Sequence, residues 1–237
     1  MKENKKNEIE NEKNGFILIN KNSGPTSHDI IYKLRKISKI KKIGHAGTLD
    51  PLATGLLIVA IGRPATKNIS NFVKLDKKYE AEIFLGETTD TYDREGKVLK
   101  KYQGEKIKQE KLGEALQKIS KRTSQIPPMY SAKKIKGQKL YELARKNIEI
   151  QRPPQKIEIY SLKLMKYRWP KIKLEIHCSS GTYIRSIAHD LGEELGCGAY
   201  LKELKRTAIS KFLSKKAVKI EKLTPNNWQK YVVDKLI

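Results

Sequence analysis

The run Gly55-Leu-Leu-Ile-Val-Ala-Ile-Gly62 constrains the fold of this 237-residue chain more than any other segment. It is the longest uncharged apolar run, and a glycine bounds it at each end. A membrane-spanning helix needs about 20 apolar residues, so the run instead predicts a central strand that is covered on both faces. Strands and helices alternate along the chain without strict βαβ order. We therefore expect an α+β fold in which helices flank a mixed, mainly antiparallel central sheet.

Hydrophobic periodicity predicts the remaining elements. Alternating apolar residues predict strands at residues 15–20, 79–85, 157–167 and 171–178. Helical spacing predicts a helix that begins after Thr26 in a capping box with Asp29, and further helices at residues 107–121, 138–146 and 182–195. We expect one folded domain at residues 15–213, between a disordered polar tail at 1–14 and a short C-terminal extension at 214–237.

The charge of the chain indicates a polyanionic partner. Lysine and arginine outnumber aspartate and glutamate by 50 to 26, which leaves a net charge of +24, and such an imbalance favours nucleic acid as the partner class. Compositional bias of an AT-rich genome explains part of the lysine excess but not the shortage of acidic residues. The two cysteines exclude a disulfide-stapled scaffold, and the N-terminus lacks the apolar stretch of a signal peptide. We expect a cytoplasmic protein with no metal site and no membrane association.

The segment Gly44-His-Ala-Gly-Thr-Leu-Asp-Pro-Leu-Ala-Thr-Gly55 has the features of a rigid functional loop. Asp50 precedes a proline, which favours an extended backbone and excludes a helix at this position. Glycines at both ends permit turns and the close approach of another backbone. A carboxylate on such a loop beside a buried strand is well placed to act as a nucleophile or a base. The alternative is an ordinary Asp-Pro turn whose carboxylate caps local N–H groups.

This segment resembles the signature of the TruB-type tRNA pseudouridine synthases, in the bacterial stand-alone form. Other segments resemble the family in the same order: Ser23-Gly-Pro-Thr-Ser-His-Asp29, Lys78-Tyr-Glu80, Leu85-Gly-Glu-Thr-Thr-Asp-Thr-Tyr-Asp93, Pro127-Pro-Met-Tyr-Ser-Ala132 and Cys178-Ser-Ser-Gly-Thr-Tyr-Ile-Arg185. The resemblance covers roughly residues 15–212. It implies an enzyme that isomerises uridine to pseudouridine at position 55 in the T-loop of tRNA, by base flipping, aspartate-dependent glycosidic cleavage and rejoining through carbon.

The resemblance implies three catalytic residues, Asp50, Tyr79 and Arg185. Asp50 would begin glycosidic cleavage, either by attack on the sugar or uracil or by proton abstraction from the ribose, and both routes stay open. Tyr79 would stack under the extruded uracil and could later remove the proton from C5. Arg185 would pair with Asp50, and Asp93 would join that charge network.

The family also implies contacts with the flipped nucleotide. His45 and Tyr183 would touch it or its neighbours, and Leu204 would close the pocket over the base. No cofactor is implied, because the isomerisation is redox-neutral. The partner would be the T-arm of tRNA, without a guide RNA, and we expect a monomer.

Each residue also has a structural alternative. Tyr79 and Tyr183 could be aromatic residues at the edge of the core. Arg185 could be a solvated charge on a helix, and Asp93 a turn former.

A basic stretch lies between Pro127-Pro128 and Pro153-Pro154, and we call residues 123–154 the proline-bracketed segment. It resembles the inserted thumb of the family. Its candidate RNA-binding residues are Lys133, Lys134, Lys136 and Arg145, interleaved with tyrosines.

The chain departs from the family pattern at three places. Asn20-Lys21-Asn22 replaces Asp-Lys-Pro, Ser210 stands where the family has glycine, and residues 214–237 are too few for the family's C-terminal PUA-type domain. Two other functions stay open: a synthase subunit directed by a separate guide RNA, and a non-catalytic RNA-binding folding factor.

Overall fold

The computed structural model describes residues 13–135 and 137–234. Lys136 and most of the predicted N-terminal tail therefore lie outside the described residues. The chain divides into two compact units. The first unit consists of Met1–Lys77 and Lys205–Ile237, and the second unit is Lys78–Leu204.

Strands account for most of the regular structure. They are β1 (Gly15–Lys21), β2 (Ile43–Ala46), β3 (Thr54–Ile61), β4 (Lys77–Leu85), β5 (Glu87–Thr89), β6 (Val98–Lys101), β7 (Ser124–Gln125), β8 (Lys134–Ile135), β9 (Gln138–Lys139), β10 (Gln155–Lys156), β11 (Ile159–Arg168), β12 (Lys171–Cys178), β13 (Ala199–Ile209), β14 (Phe212–Leu213) and β15 (Val218–Lys219).

The helices are α1 (Ser27–Ser38), α2 (Gly62–Lys67), α3 (Ser70–Val73), α4 (Gln109–Ser120), α5 (Leu140–Ala144) and α6 (Ile184–Leu195). Within the described ranges, none is long and apolar enough to span a membrane.

The first unit is built around β3, the strand predicted from the apolar run. Every residue of β3 after Thr54 is buried. It pairs antiparallel with β1 and β2, and parallel with the C-terminal part of β13. Ile220, Leu223 and Trp228 pack into the same core as the side chains of β1, α1 and β3. Residues 214–234 thus contribute to the hydrophobic core of this unit.

The second unit contains the strand order β11-β12-β4-β13. The strands β11 and β12 are antiparallel. Lys118 of α4 pairs with Glu194 of α6 at 2.7 Å, and Arg122, just after α4, pairs with Asp190 of α6 at 2.6 Å. The mixed, mainly antiparallel sheet with flanking helices confirms the expected fold class.

The predicted helix at 138–146 is wrong in its first part. Gln138 and Lys139 form β9, which pairs with β8 around Gly137, and the helix is limited to Leu140–Ala144. Gly137 has φ of +82°, a conformation that suits glycine in a hairpin turn. The capping box at the start of α1 is confirmed, since Thr26 and Asp29 bond each other's backbone N–H groups.

Candidate active site

Asp50 lies on the loop between β2 and β3, in the first unit, and is half-buried. Pro51 and Leu52 form a turn, and Ala53 donates a backbone hydrogen bond to the Asp50 carbonyl at 3.0 Å. The loop enters β3 directly, so the position of Asp50 depends on how the backbone of residues 47–53 is held.

A buried guanidinium holds one side of this loop. Arg206 is 1% exposed and comes from β13, beside β3. Its Nη2 donates to the Gly47 carbonyl at 3.0 Å and its Nη1 to the Thr48 carbonyl at 3.4 Å. Its Nε donates to the Leu56 carbonyl at 2.7 Å. The guanidinium of Arg206 is planar and presents its N–H donors in a rigid fork, so three acceptors around it are held in fixed directions.

A buried ammonium and a hydroxyl hold the other side. Lys21 is fully buried, and its Nζ donates to the carbonyls of Pro25 at 2.7 Å and Pro51 at 3.1 Å. Ser27 Oγ accepts from the Leu49 N–H at 2.9 Å and donates to the Leu49 carbonyl at 3.1 Å. Every carbonyl from Gly47 to Pro51 therefore accepts a hydrogen bond. Satisfied backbone groups of this kind fix a loop in one conformation.

Gly55 permits the close approach on which this arrangement depends. It has φ of +102°, and a Cβ atom built there would lie 2.2 Å from the Arg206 carbonyl oxygen. The predicted need for glycine where another backbone approaches is confirmed at this position.

His45 lies on β2, in the same unit, and burial lowers its pKa below the ordinary 6.5, with His28 and Arg206 acting in the same direction. Its Nδ1 is buried and lacks a hydrogen-bond partner among the residues that the structure describes. A buried ring nitrogen of this kind retains capacity to bond an incoming polar group.

Arg185 and Asp93 form a buried ion pair in the second unit. Arg185 Nη1 lies 3.4 Å from Asp93 Oδ2, and the side chains are 5% and 6% exposed. Asp93 also accepts from Thr91 Oγ1 at 2.7 Å and from the Glu95 N–H at 3.0 Å. The alternative of a solvated Arg185 is wrong, whereas Asp93 is both a turn former and an ion-pair partner. Asp50 and Arg185 belong to different units, and their pairing stays a prediction.

Tyr183 is the N-cap residue of α6 and is half-buried. The buried amide of Gln125 accepts from the Tyr183 N–H at 2.5 Å and donates to its carbonyl at 3.3 Å. Tyr79 on β4 and Leu204 on β13 are each 7% exposed, which fits the core-edge alternative for Tyr79 as well as a place in a base pocket.

The basic candidates of the proline-bracketed segment lie at or near its surface. Lys134 and Arg145 are exposed, and the Arg145 guanidinium carbon lies 5.3 Å from the centroid of the Tyr141 ring. Lys133 Nζ donates to Gln155 Oε1 at 2.9 Å. Lys136 lies outside the described residues.

Sequence reasoning missed the residues that hold the site in place. Arg206, Lys21, Ser27 and Gln125 had no assigned role. The rarity of arginine gives no signal for Arg206, because several of the other arginines, Arg145 among them, are exposed. Across the described parts of the chain, no group of three or more His, Cys, Asp or Glu side chains could hold a metal ion.

Two family models together match most of the chain. The N-terminal domain of the TruB family pseudouridylate synthases matches residues 35–184, and the C-terminal domain of tRNA pseudouridylate synthase B matches residues 185–237. The tRNA pseudouridine synthase B of Clostridium tetani is 44% identical over 220 residues, covering 93% of this chain and 76% of the relative. That of Protochlamydia amoebophila is 49% identical over 199 residues, covering 84% and 75%.

Solved structures support the fold. A crystal structure of a Cbf5-Nop10-Gar1 complex matches with a TM-score of 0.69 at 25% identity, over 90% of this chain and 54% of that chain. An archaeal box H/ACA Nop10-Cbf5 complex matches with a TM-score of 0.66 at 22% identity, which shows the fold alone. The chain thus spans about half the length of these solved chains. On the family models and the curated relatives, this chain belongs to the TruB family of pseudouridine synthases.

Proposed function

We propose that this pseudouridine synthase isomerises the uridine at position 55 in the T-loop of tRNA, and that Asp50 begins the reaction. The observation that supports Asp50 most strongly is its loop, in which every carbonyl from Gly47 to Pro51 is bonded and two buried cations supply several of the donors. A loop whose backbone is fully hydrogen-bonded is expected where a side chain must be placed within a fraction of an ångström of a reacting atom.

The reaction requires the target uridine to leave the base stack. The bond between N1 of uracil and C1′ of the ribose then breaks, the base turns, and a bond forms between C5 and C1′. The proton that leaves C5 is balanced by one gained at N1, so atoms and electrons balance without a cofactor. Asp50 assists the cleavage, by covalent attack or through a glycal, and Tyr79 supports the detached ring and could accept the C5 proton.

Arg185 and Asp93 are the proposed electrostatic support. A carboxylate in a dry pocket stays ionised more readily when a guanidinium neutralises it. The buried pair between Arg185 and Asp93 supports a structured charge network, and we propose that Arg185 also pairs with Asp50 during the reaction.

His45, Tyr183 and Leu204 are the proposed contacts with the flipped nucleotide. The buried Nδ1 of His45 supports this role, because it can bond a ribose or base atom without first losing a protein partner. The apolar side chain of Leu204 suits a lid that excludes water from the detached base.

We propose that the enzyme is a cytoplasmic monomer that recognises the T-arm without a guide RNA. The curated relatives named tRNA pseudouridine synthase B support tRNA as the substrate. One solved neighbour is part of a Cbf5-Nop10-Gar1 complex, which keeps a guide-directed subunit as the second candidate.

One experiment separates the candidates. The purified chain is incubated with an unmodified tRNA transcript, and pseudouridine is mapped along the RNA. We expect modification at position 55 without added guide RNA. Modification only when a guide RNA is supplied would indicate the guide-directed subunit, and tRNA binding without any pseudouridine would indicate a folding factor.

A further inference from the structure

The two ends of the proline-bracketed segment meet beside the start of α6. Strand β7 at one end pairs antiparallel with β10, which follows the other end, and Gln125 lies opposite Gln155. Gln155 Nε2 donates to the Gly181 carbonyl at 2.7 Å, and the Ile157 N–H donates to the Thr123 carbonyl at 2.9 Å. The base of the segment and the residues leading into α6 are therefore joined.

Gln125 makes the most specific of these contacts. It is 4% exposed, and its amide bonds both the N–H and the carbonyl of Tyr183, at 2.5 and 3.3 Å. A primary amide that accepts from one backbone group and donates to the other imitates a β-bridge. The N-cap residue of α6 is thereby held by a side chain from the base of the segment.

Two more bonds join the segment to the first turn of α6. Ser186 Oγ donates to the Ile126 carbonyl at 2.9 Å. Arg185 Nη2 donates to the Tyr130 carbonyl at 2.8 Å, while its Nη1 faces the Thr91 carbonyl and Asp93. The guanidinium assigned to the reaction is therefore held between the acidic turn and a carbonyl of the proline-bracketed segment.

We propose that Gln125 is a positioning residue, which couples the proline-bracketed segment to Tyr183 and Arg185. RNA phosphates that engage the exposed basic side chains of the segment stabilise one placement of its base. The Gln125 amide then transmits that placement to the N-terminus of α6, and so to the side chains at 183 and 185. Binding of cognate RNA thus fixes the positions of Tyr183 and Arg185 in the site where that RNA reacts. This inference rests on the proposed function.

The test uses Gln125→Met, which keeps the length of the side chain but removes both hydrogen bonds. Enzyme in excess over unmodified tRNA gives the single-turnover rate constant and the amplitude, and filter binding gives the Kd. We expect the rate constant to fall about tenfold, because small misplacements of reacting groups are costly. The amplitude and the Kd should stay within about twofold of wild type, because phosphate contacts dominate RNA affinity.

Two variants accompany it. Gln117→Met changes an exposed glutamine on α4 to the same residue and should leave the rate constant unchanged. Ser186→Ala removes the neighbouring bond to Ile126 and should lower the rate constant in the same way as Gln125→Met. A rate constant for Gln125→Met within about twofold of wild type overturns the proposal, and so does a fall confined to the amplitude, which would reflect unfolded protein.

Amide hydrogen exchange tests the coupling between the proline-bracketed segment and α6 independently of catalysis. Bound tRNA should increase amide protection at residues 183–187 in the wild-type chain and not in Gln125→Met. Equal protection in the two proteins, or no change in either, overturns the coupling. A wild-type chain that shows the coupled protection but forms no pseudouridine would instead contradict the proposed function.

Discussion

The loop of residues 47–51 and the proline-bracketed segment are held by different means. Buried donors from distant parts of the first unit, Arg206 and Lys21 among them, bond the loop along its whole length. The segment instead has a small core of its own, formed by Met129, Leu140 and Ala144, and hydrogen bonds at its base. Its basic side chains Lys134 and Arg145 are exposed.

The difference follows from the proposed tasks of the two regions. A group that meets a reacting atom needs a fixed position, which requires satisfied and buried backbone groups. Phosphate recognition depends on charge and tolerates variable side-chain geometry. We therefore expect substitutions at the loop to change rate and stability, and substitutions on the segment surface to change affinity and its salt dependence.

Asp50→Asn should produce the largest effect. The change preserves shape but removes the charge, so turnover should fall by about 10³-fold or more while tRNA affinity stays close to wild type. Single-turnover assays and filter binding measure the two quantities. Appreciable pseudouridine formation by a pure Asp50→Asn sample would remove Asp50 from the mechanism.

Arg206→Leu should rank second. It leaves the carbonyls of Gly47, Thr48 and Leu56 without their buried donor, and each unsatisfied acceptor costs about 1–3 kcal/mol. We expect the free energy of unfolding in urea to fall by roughly 3 kcal/mol or more. Arg145→Ala, at an exposed arginine of the segment, is the matched control and should change it by less than about 0.5 kcal/mol. Equal losses would mean that the two regions are not held differently.

Lys133→Ala with Lys134→Ala should lower affinity. The plot of log K against log salt should flatten by about 0.7–0.9 for each phosphate that the variant no longer neutralises. The control is Lys33→Ala with Lys36→Ala, an exposed lysine pair on α1. If both pairs flatten the slope equally, RNA binding depends on total charge and not on the segment.

The pH dependence of stability should show the smallest effect. Burial lowers the pKa of His45 below 6.5, so as the pH falls the unfolded chain takes up a proton before the folded chain does. The free energy of unfolding should therefore decrease as the pH drops below about 6.5 and level off below the folded pKa, by less than about 1 kcal/mol for this partly exposed group. His45→Gln should remove that part of the slope in urea titrations between pH 7.5 and 5.5. An unchanged slope would contradict the assignment.

Local patterns in the sequence predicted most of the regular structure. The apolar run became β3, and the capping box began α1. Strand β13 was not predicted, because charged residues interrupt its alternation and its pairing partners are distant in sequence. Pairing of that kind depends on tertiary context, which overrides local propensity.

The residues expected to carry the chemistry could be identified because a resemblance named them. The residues that hold them in place could not, since Arg206 and Gln125 act on backbone atoms that are far away in sequence. Nothing in the local sequence distinguishes a buried arginine or glutamine from one at the surface. Arg185 and Arg206 are 4% and 1% exposed, whereas Arg63, Arg94 and Arg145 are exposed, so residue type alone does not identify the buried positions.

The contact between Gly55 and the backbone of Arg206 has a consequence for the evolution of the gene. A Cβ atom at Gly55 would lie 2.2 Å from the Arg206 carbonyl oxygen and 2.8 Å from its nitrogen, so the first side-chain carbon already collides with main-chain atoms. Alanine is therefore excluded as firmly as tryptophan, and no change elsewhere in the side chain can compensate. Every amino-acid substitution at this codon introduces the same collision, so replacement by a small residue first gives no easier route to a larger one.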